Sequence, residues 1–158
     1  MTTTYRGASG ANLAQVAALN SKSDIFILTY YPMHGDFQVD SPQAPANDFP
    51  QMLTLAAGLP VVLQEAGYPS AALNGSSQAM QGQFVTSALA AWHAAGTKMP
   101  VLNYFLLHDL DPTTCSSLAV YYGLSADQNF SAYLCSLGLR DDADVAKPAW
   151  GSFLAGAQ

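Results

Sequence analysis

Apolar runs of strand length alternate along this chain with segments of helical spacing. The clearest run is Asp24 to Tyr31 (DIFILTYY), which stops at Pro32. It is β-branched and aromatic and apolar on both faces, the pattern of a parallel strand covered from two sides. Pro60 to Glu65 (PVVLQE) follows, ended by Gly67 and Pro69, and then Pro100 to Leu107 (PVLNYFLL), ended by His108-Asp109. Both open on a proline, whose missing N–H is tolerated at a strand start. Thr2 to Tyr5 (TTTY) has strand-like composition but is very short. It reads either as a strand remnant or as a disordered tail.

Helices fit between these runs. Gly10 to Asn20 places Leu13, Val16 and Ala17 on one face. Met52 to Ala57 follows an Asp48-Phe49-Pro50-Gln51 start, with Asp48 as candidate N-cap and Gly58 as the stop. Gln78 to Ala95 begins after Ser76 or Ser77 and ends at Gly96, with Met80, Phe84, Leu89 and Trp92 at helical spacing. A last helix covers Ala149 to Ala155, while Gly35 to Asn47 and Asp111 to Gln128 read as loops. The order is β-α-β-α-β-α, which predicts one α/β domain over residues 1–158 with parallel strands. Reactive groups of such folds lie at the C-terminal ends of strands. That rule points to Tyr30-Tyr31, to Glu65 and to the segment from His108 to Asp111.

Composition narrows the partners. Only 10% of the residues are charged, where roughly a quarter is usual. The deficit fits either a compact Ala- and Leu-rich enzyme or a surface partly built to be covered by another chain. Net charge is −6 with five basic residues and no basic cluster, so no nucleic-acid partner is expected. No apolar run approaches the roughly 20 residues that span a bilayer, so no membrane partner is expected. The N-terminus lacks the basic-then-apolar pattern of a signal peptide, and localisation is left open. The two cysteines, Cys115 and Cys135, match no zinc spacing, and no histidine pair accompanies them; no metal or cofactor is expected. They read as free core thiols or as a disulfide, the latter implying an ancestor folded in an oxidising compartment.

Glu65 is the single glutamate in the chain. A carboxylate at a strand end can act as a nucleophile. A tyrosine on the next strand can donate to it, hold its orientation and keep it ionised. The ordered motifs TYYP, PVVLQEAGYPS, VLNYFLLHDLD and GLRDDADVAKPAW together resemble strands six to eight of the retaining glycoside hydrolases with (β/α)8 barrels. The likeness runs from about Ser23 to Phe153. It implies a partial TIM barrel of three to four βα units, with Glu65 as nucleophile and Tyr30 or Tyr31 bonded to it. It implies Tyr104 or Phe105 as the aromatic platform for a sugar. From their places after strand ends, Tyr68, His34 and His108 are further candidates for lining the mouth. Gly138 to Arg140 and Lys147 to Trp150 look like the approach to the last barrel helix.

The resemblance lacks one part. That clan draws its acid/base from a glutamate on strand four, and this chain begins after that point. Retention needs carboxyl groups about 5–5.5 Å apart and inversion about 6.5–9.5 Å. Asp109 is the internal candidate carried into the site, beside Asp36 and Asp111, each of which also suits a turn or cap. His108-Asp109 with a serine would mimic a triad, but no G-x-S-x-G elbow is present. Three or four strands cannot close a barrel, so open edges and wet inner faces predict a homo-oligomer, most simply a dimer. The expected function is O-glycosyl hydrolysis of a carbohydrate substrate. A promiscuous esterase using the same mouth and a non-catalytic sugar-binding remnant are the alternatives.

Overall fold

The computed structural model describes residues 1–10 and 12–157. Among the described residues, four strands and seven α-helices follow in the order β1 (Thr2–Thr4), α1 (Tyr5–Ser9), α2 (Leu13–Asn20), β2 (Phe26–Tyr30), α3 (Pro45–Leu55), β3 (Val61–Ala66), α4 (Gln78–Ala95), β4 (Val101–Tyr104), α5 (Pro112–Tyr121), α6 (Gln128–Leu134) and α7 (Pro148–Gly156). The sheet order is β1-β2-β3-β4, and every neighbouring pair is parallel. Thr2 to Thr4 is therefore a strand, in register with Ile27 to Thr29. Of the helix expected from Gly10, Ala11 lies outside the described residues, and Leu13, expected on its packed face, is exposed.

One face of the sheet carries the core. Phe26, Leu28, Tyr30, Val61 and Leu63 point into it and meet Phe49 and Met52 of α3 and Phe84, Val85 and Leu89 of α4. Each fully buried large side chain contributes about 1.5–3 kcal/mol from area removed from water. Gln81, wholly buried in α4, donates from Nε2 to the carbonyls of Tyr68 (2.9 Å) and Gly138 (3.1 Å). It thereby ties the β3 exit to the chain that returns toward α7.

The opposite face is open. Ile25, Val101, Phe105 and Leu107 are 36–48% exposed, and Ile27, Thr29 and Val62 are half-buried. The apolar-on-both-faces pattern of β2 suggested two covering layers, but the helices supply only one. A barrel interior is filled by side chains from strands across the barrel, and four strands do not provide them.

Helix limits match expectation best at α4, where Ser77 Oγ accepts from the Met80 amide (3.2 Å) and Gly96 takes φ +56° at the end. Helix α3 starts earlier than expected, at Pro45, so Asp48 lies in its first turn and is not its cap. The segment Asp111 to Gln128 is not a loop: it forms α5. Asp111 caps α5, accepting from the amides of Thr113 (3.0 Å) and Thr114 (3.1 Å), and Pro112 fills the first helical position. A second, smaller core joins α5 to α6 through Cys115, Ala119, Phe130 and Leu134. The two cysteines are bonded across it, with Cα atoms 5.7 Å apart.

Candidate functional site

On a regular strand side chains alternate, so Glu65 would share a face with buried Leu63 and point into the helical core. It does not, because β3 carries a bulge. Leu28 pairs with Leu63, but Thr29 pairs with Glu65, leaving Gln64 as an extra residue. Seen from β4, Leu63 pairs with Leu102 and Ala66 with Tyr104, which spans the same extra residue. The bulge turns Gln64 and Glu65 away from the core and returns Ala66 to it. The displaced Gln64 carbonyl accepts from Asn103 Nδ2 (3.0 Å), and Gln64 Oε1 accepts from Thr2 Oγ1 (2.6 Å). Gln64 is thus held from the adjacent β4 and, across β2, from β1.

Tyr31 follows β2 and donates from its hydroxyl to Glu65 Oε2 at 3.0 Å. Burial, with the nearby Tyr133 and Glu65, pushes its pKa far above the usual tyrosine value, which keeps it a donor. Its ring stands edge-on to Phe105 (centroids 6.0 Å) and to Tyr133 (5.7 Å). The backbone of Gly67 makes room for that ring: a Cβ there would sit 2.7 Å from Tyr31 Cε1. Among the described residues, Glu65 has no ion pair.

A cleft of about 540 Å³ opens beside this group, with Tyr31, Tyr133, Tyr5, Arg6, His34 and Asp48 on its wall. Asp40, also on the wall, accepts from Arg6 Nη2 (3.1 Å) and pairs with His34 Nε2 (3.0 Å). Asp48 accepts the hydroxyls of Tyr30 (2.6 Å) and Tyr5 (3.4 Å). Among the described residues no group of three or more His, Cys, Asp or Glu is placed to hold a metal ion.

The structure sorts the residues named from sequence. Glu65, Tyr31 and Phe105 come together, and His34 reaches the adjoining cleft. Tyr30 does not meet Glu65: it faces the helices, fully buried between Phe49 and Phe84, because it is one residue off Tyr31 in a period of two. Tyr68 is likewise buried, stacked on Phe84 (4.9 Å) with its hydroxyl on the Asp40 carbonyl (2.7 Å), so it offers a substrate nothing. Tyr104 points toward α7, its hydroxyl donating to the Leu137 carbonyl (3.1 Å), which leaves Phe105 as the ring on the open face.

Asp109 is consumed by structure. Lys147 Nζ lies 2.6 Å from its Oδ2, and the Gly138 amide donates to Oδ1 (2.7 Å). Burial raises its carboxyl above the ordinary 3.8, with Lys147 and Gly138 pulling the other way. Asp36 and Asp111 serve a turn and a helix cap. His108 pairs with Asp144 (2.7 Å), which Arg140 also holds, in the loop beyond β4. Sequence reasoning missed Tyr5, Arg6, Asp40, Asp48 and Tyr133. Tyr5-Arg6 directly follow β1, so the strand-end rule finds them once Thr2 to Thr4 is accepted as a strand. Tyr133 carries no local signal.

No protein-family model and no curated protein matches the sequence. Solved structures do match. A GH5_18 protein from Bifidobacterium longum subsp. longum, solved in complex with Manb1-4GlcNAc, superposes with a TM-score of 0.66 at 18% identity, covering 99% of this chain and 36% of its own. The shared fold is plain from that overlap. This chain has the fold of part of a (β/α)8 barrel. A thermostable mutant of the xylanase Xyn10A from Cellvibrio japonicus gives a TM-score of 0.59 at 14% identity, over 98% of this chain and 48% of that one. A glycoside hydrolase family 17 beta-1,3-glucanosyltransferase from Rhizomucor miehei gives 0.50 at 17% identity, over 92% of this chain and 59% of that one. The partial barrel therefore spans about a third to three fifths of these glycoside hydrolases. At such identities the likeness is one of fold.

Proposed function

We propose that this chain carries the nucleophile half of a retaining glycosidase site. The observation that carries the reading is the Tyr31 hydroxyl on Glu65, both turned to the open face where the bulge places the carboxylate. In the reaction, a Glu65 oxygen attacks the anomeric carbon as the bond to the leaving oxygen breaks. An acid gives that oxygen a proton. Water then cleaves the glycosyl ester, leaving its hydroxyl on the sugar, returning a proton to the group that acted as acid and restoring the Glu65 carboxylate. Phe105 offers an exposed ring for a sugar face.

The acid comes from outside these strands, since Asp109, Asp36 and Asp111 are engaged elsewhere. We propose that a second copy completes the barrel. Both outer strands, β1 and β4, have one bare edge, and all four strands run parallel. A two-fold axis along the barrel sets β1 of one copy beside β4 of the other and continues the parallel ladder to eight strands. The exposed Ile25, Val101 and Leu107 then enter a shared interior. Light scattering at micromolar concentration is expected to give a dimer; a folded monomer throughout would overturn this assembly.

Covalent trapping tests the nucleophile. Aryl 2-deoxy-2-fluoroglycosides with good leaving groups need no acid to depart, so the half-site alone suffices to form the adduct. Mass spectrometry is expected to find the fluoroglycosyl group on the peptide containing Glu65, and nothing in Glu65→Gln. No adduct across a panel of sugars would reject the reading. Turnover of aryl esters unaffected by Glu65→Gln would favour an esterase instead, and sugar binding without an adduct a binding remnant.

A further inference from the structure

The chain leaving β2 turns back on itself at the edge of the cleft. Met33 bridges Val39, and the His34 amide donates to the Gln38 carbonyl (2.8 Å). At the tip Phe37 takes φ +62°, a conformation that strains a residue with a bulky side chain. The stem packs on the main core through Val39, but the tip packs elsewhere. The Phe37 ring lies edge-on to Phe130 (5.2 Å) and stacked on Tyr133 (5.7 Å), both on α6. Buried Asn74 donates to the carbonyls of Phe37 (2.9 Å) and Asn129 (2.9 Å), and Asn129 Nδ2 donates to the Asp36 carbonyl (3.1 Å). Helix α6 therefore holds a strained turn in place.

Helix α6 is itself held by little apolar packing. Among the described residues, the core it shares with α5 buries Cys115, Ala119, Phe130 and Leu134, and the disulfide crosses that core. A unit with so few buried apolar side chains opens more readily than the main core, and a covalent tie limits how far it can open. The other side of the same unit is cleft surface: His34, Gly35, Phe37 and Tyr133 all line it. Cys115 is 2% exposed and Cys135 is half-buried, so an attacking thiol meets the Cys135 sulfur first.

We propose that the Cys115–Cys135 disulfide is a redox-sensitive clasp on the cleft wall. Oxidised, it keeps α6 against the turn and so fixes His34, Phe37 and Tyr133 at the cleft. Reduced, it lets the small core loosen, the strained turn at Phe37 relax and this wall give way, while the main core stays folded. The reductant is a dithiol. One of its thiolates attacks the Cys135 sulfur, the bond to Cys115 breaks, and the Cys115 sulfur leaves with the electron pair and takes a proton. The second thiol of the reductant displaces Cys135 in the same way and closes a disulfide of its own, so two electrons and two protons pass to the protein. The clasp does not depend on Glu65 being a nucleophile.

Hydrogen–deuterium exchange read by mass spectrometry tests the clasp on the whole chain. The turn is a good reporter, because the amides of His34, Phe37 and Val39 are all hydrogen-bonded to backbone carbonyls. Oxidised protein is compared with protein reduced by dithiothreitol under native conditions. On reduction, peptides over residues 33–39 and over α6 are expected to exchange at least about tenfold faster, while peptides of β3 and α4 keep their protection. Reoxidation is expected to restore the first pattern. Phe37→Gly relieves the strain but removes the ring, and is expected to release residues 33–39 with the disulfide intact. A turn unmoved by reduction would show that the disulfide holds only its own two helices, and a turn unmoved by Phe37→Gly would show that the ring is not the link. Equal loss of protection in α4 would make the disulfide a support of the whole fold, and a bond that dithiothreitol leaves intact in the folded protein would not be a switch. Each of these four results would overturn the proposal.

Discussion

Adjacent strands β3 and β4 each lead to a carboxylate at the same end of the sheet. Glu65 ends on the open face with a tyrosine proton and, among the described residues, no cation. Asp109 ends with Lys147 on one side and a backbone amide on the other, its side chain 13% and that of Lys147 3% exposed. The first arrangement leaves an oxygen free to react. The second neutralises the charge and binds β4, the β3 exit through Ser70 (3.1 Å from Lys147 Nζ) and the approach to α7 into one joint. A strand-end carboxylate is therefore not a site by position alone. Its partner decides: a donor that leaves the charge in place, or a counter-ion that cancels it.

The sharpest way to break this contrast is to remove each partner. Lys147→Met strands the Asp109 charge and is expected to cost about 3–5 kcal/mol in urea unfolding. Pairing it with Asp109→Leu should recover much of that loss, because the isolated charge goes too. Glu65→Gln, by contrast, should change stability by no more than about 0.5 kcal/mol while abolishing the covalent adduct. Equal destabilisation by the two single changes would erase the distinction between the two ends.

Removing the disulfide by Cys115→Ser with Cys135→Ser tests the small core behind the Glu65 side. The bridge closes a loop of 20 residues, and its loss is expected to cost about 3 kcal/mol, read as a lower unfolding midpoint. Gly67→Ala crowds the ring that donates to Glu65, with a Cβ 2.7 Å from Tyr31 and 3.3 Å from Leu137. We expect a cost of about 1–3 kcal/mol and slower trapping, since the ring must swing to make room. A variant that traps at the wild-type rate would show that Tyr31 need not be held so closely.

The smallest expected effect is at Asp111, a carboxylate that only caps. Hydrogen bonds from Thr114 and Thr113 hold its pKa below the ordinary 3.8. The folded form then favours the carboxylate, so this contribution is present above pH 3.8 and is lost as pH falls below it. Asp111→Asn keeps the cap without the titration, and should flatten stability against pH in that acidic window. An unchanged profile would assign the acid sensitivity to other groups.

Particular residues show how far local pattern reaches. The Ser77 cap and Gly96 stop of α4 were readable because capping is a contact between near neighbours in sequence. Helix α5 was not read, since Thr and Ser dominate its first turns, yet Asp111-Pro112 is itself a start signal. Tyr30 and Tyr31 were indistinguishable as partners of Glu65, because the choice depends on which face of β2 meets the helices. Asp109 looked as free as Glu65 because Lys147, which claims it, stands 38 positions away.

By itself the sequence determined the alternation of strands and helices, the parallel sheet and the strand end at which Glu65 stands. These follow from periodicity, caps and breakers, which act over a few residues. Only the tertiary structure decided that the Gln64 bulge turns Glu65 outward, that Tyr31 and not Tyr30 reaches it, that Tyr133 stands behind Tyr31, and that Lys147 takes Asp109. Each of those outcomes is a contact between distant segments or a shift in strand register. A one-residue shift exchanges the two faces of a strand without altering the local pattern.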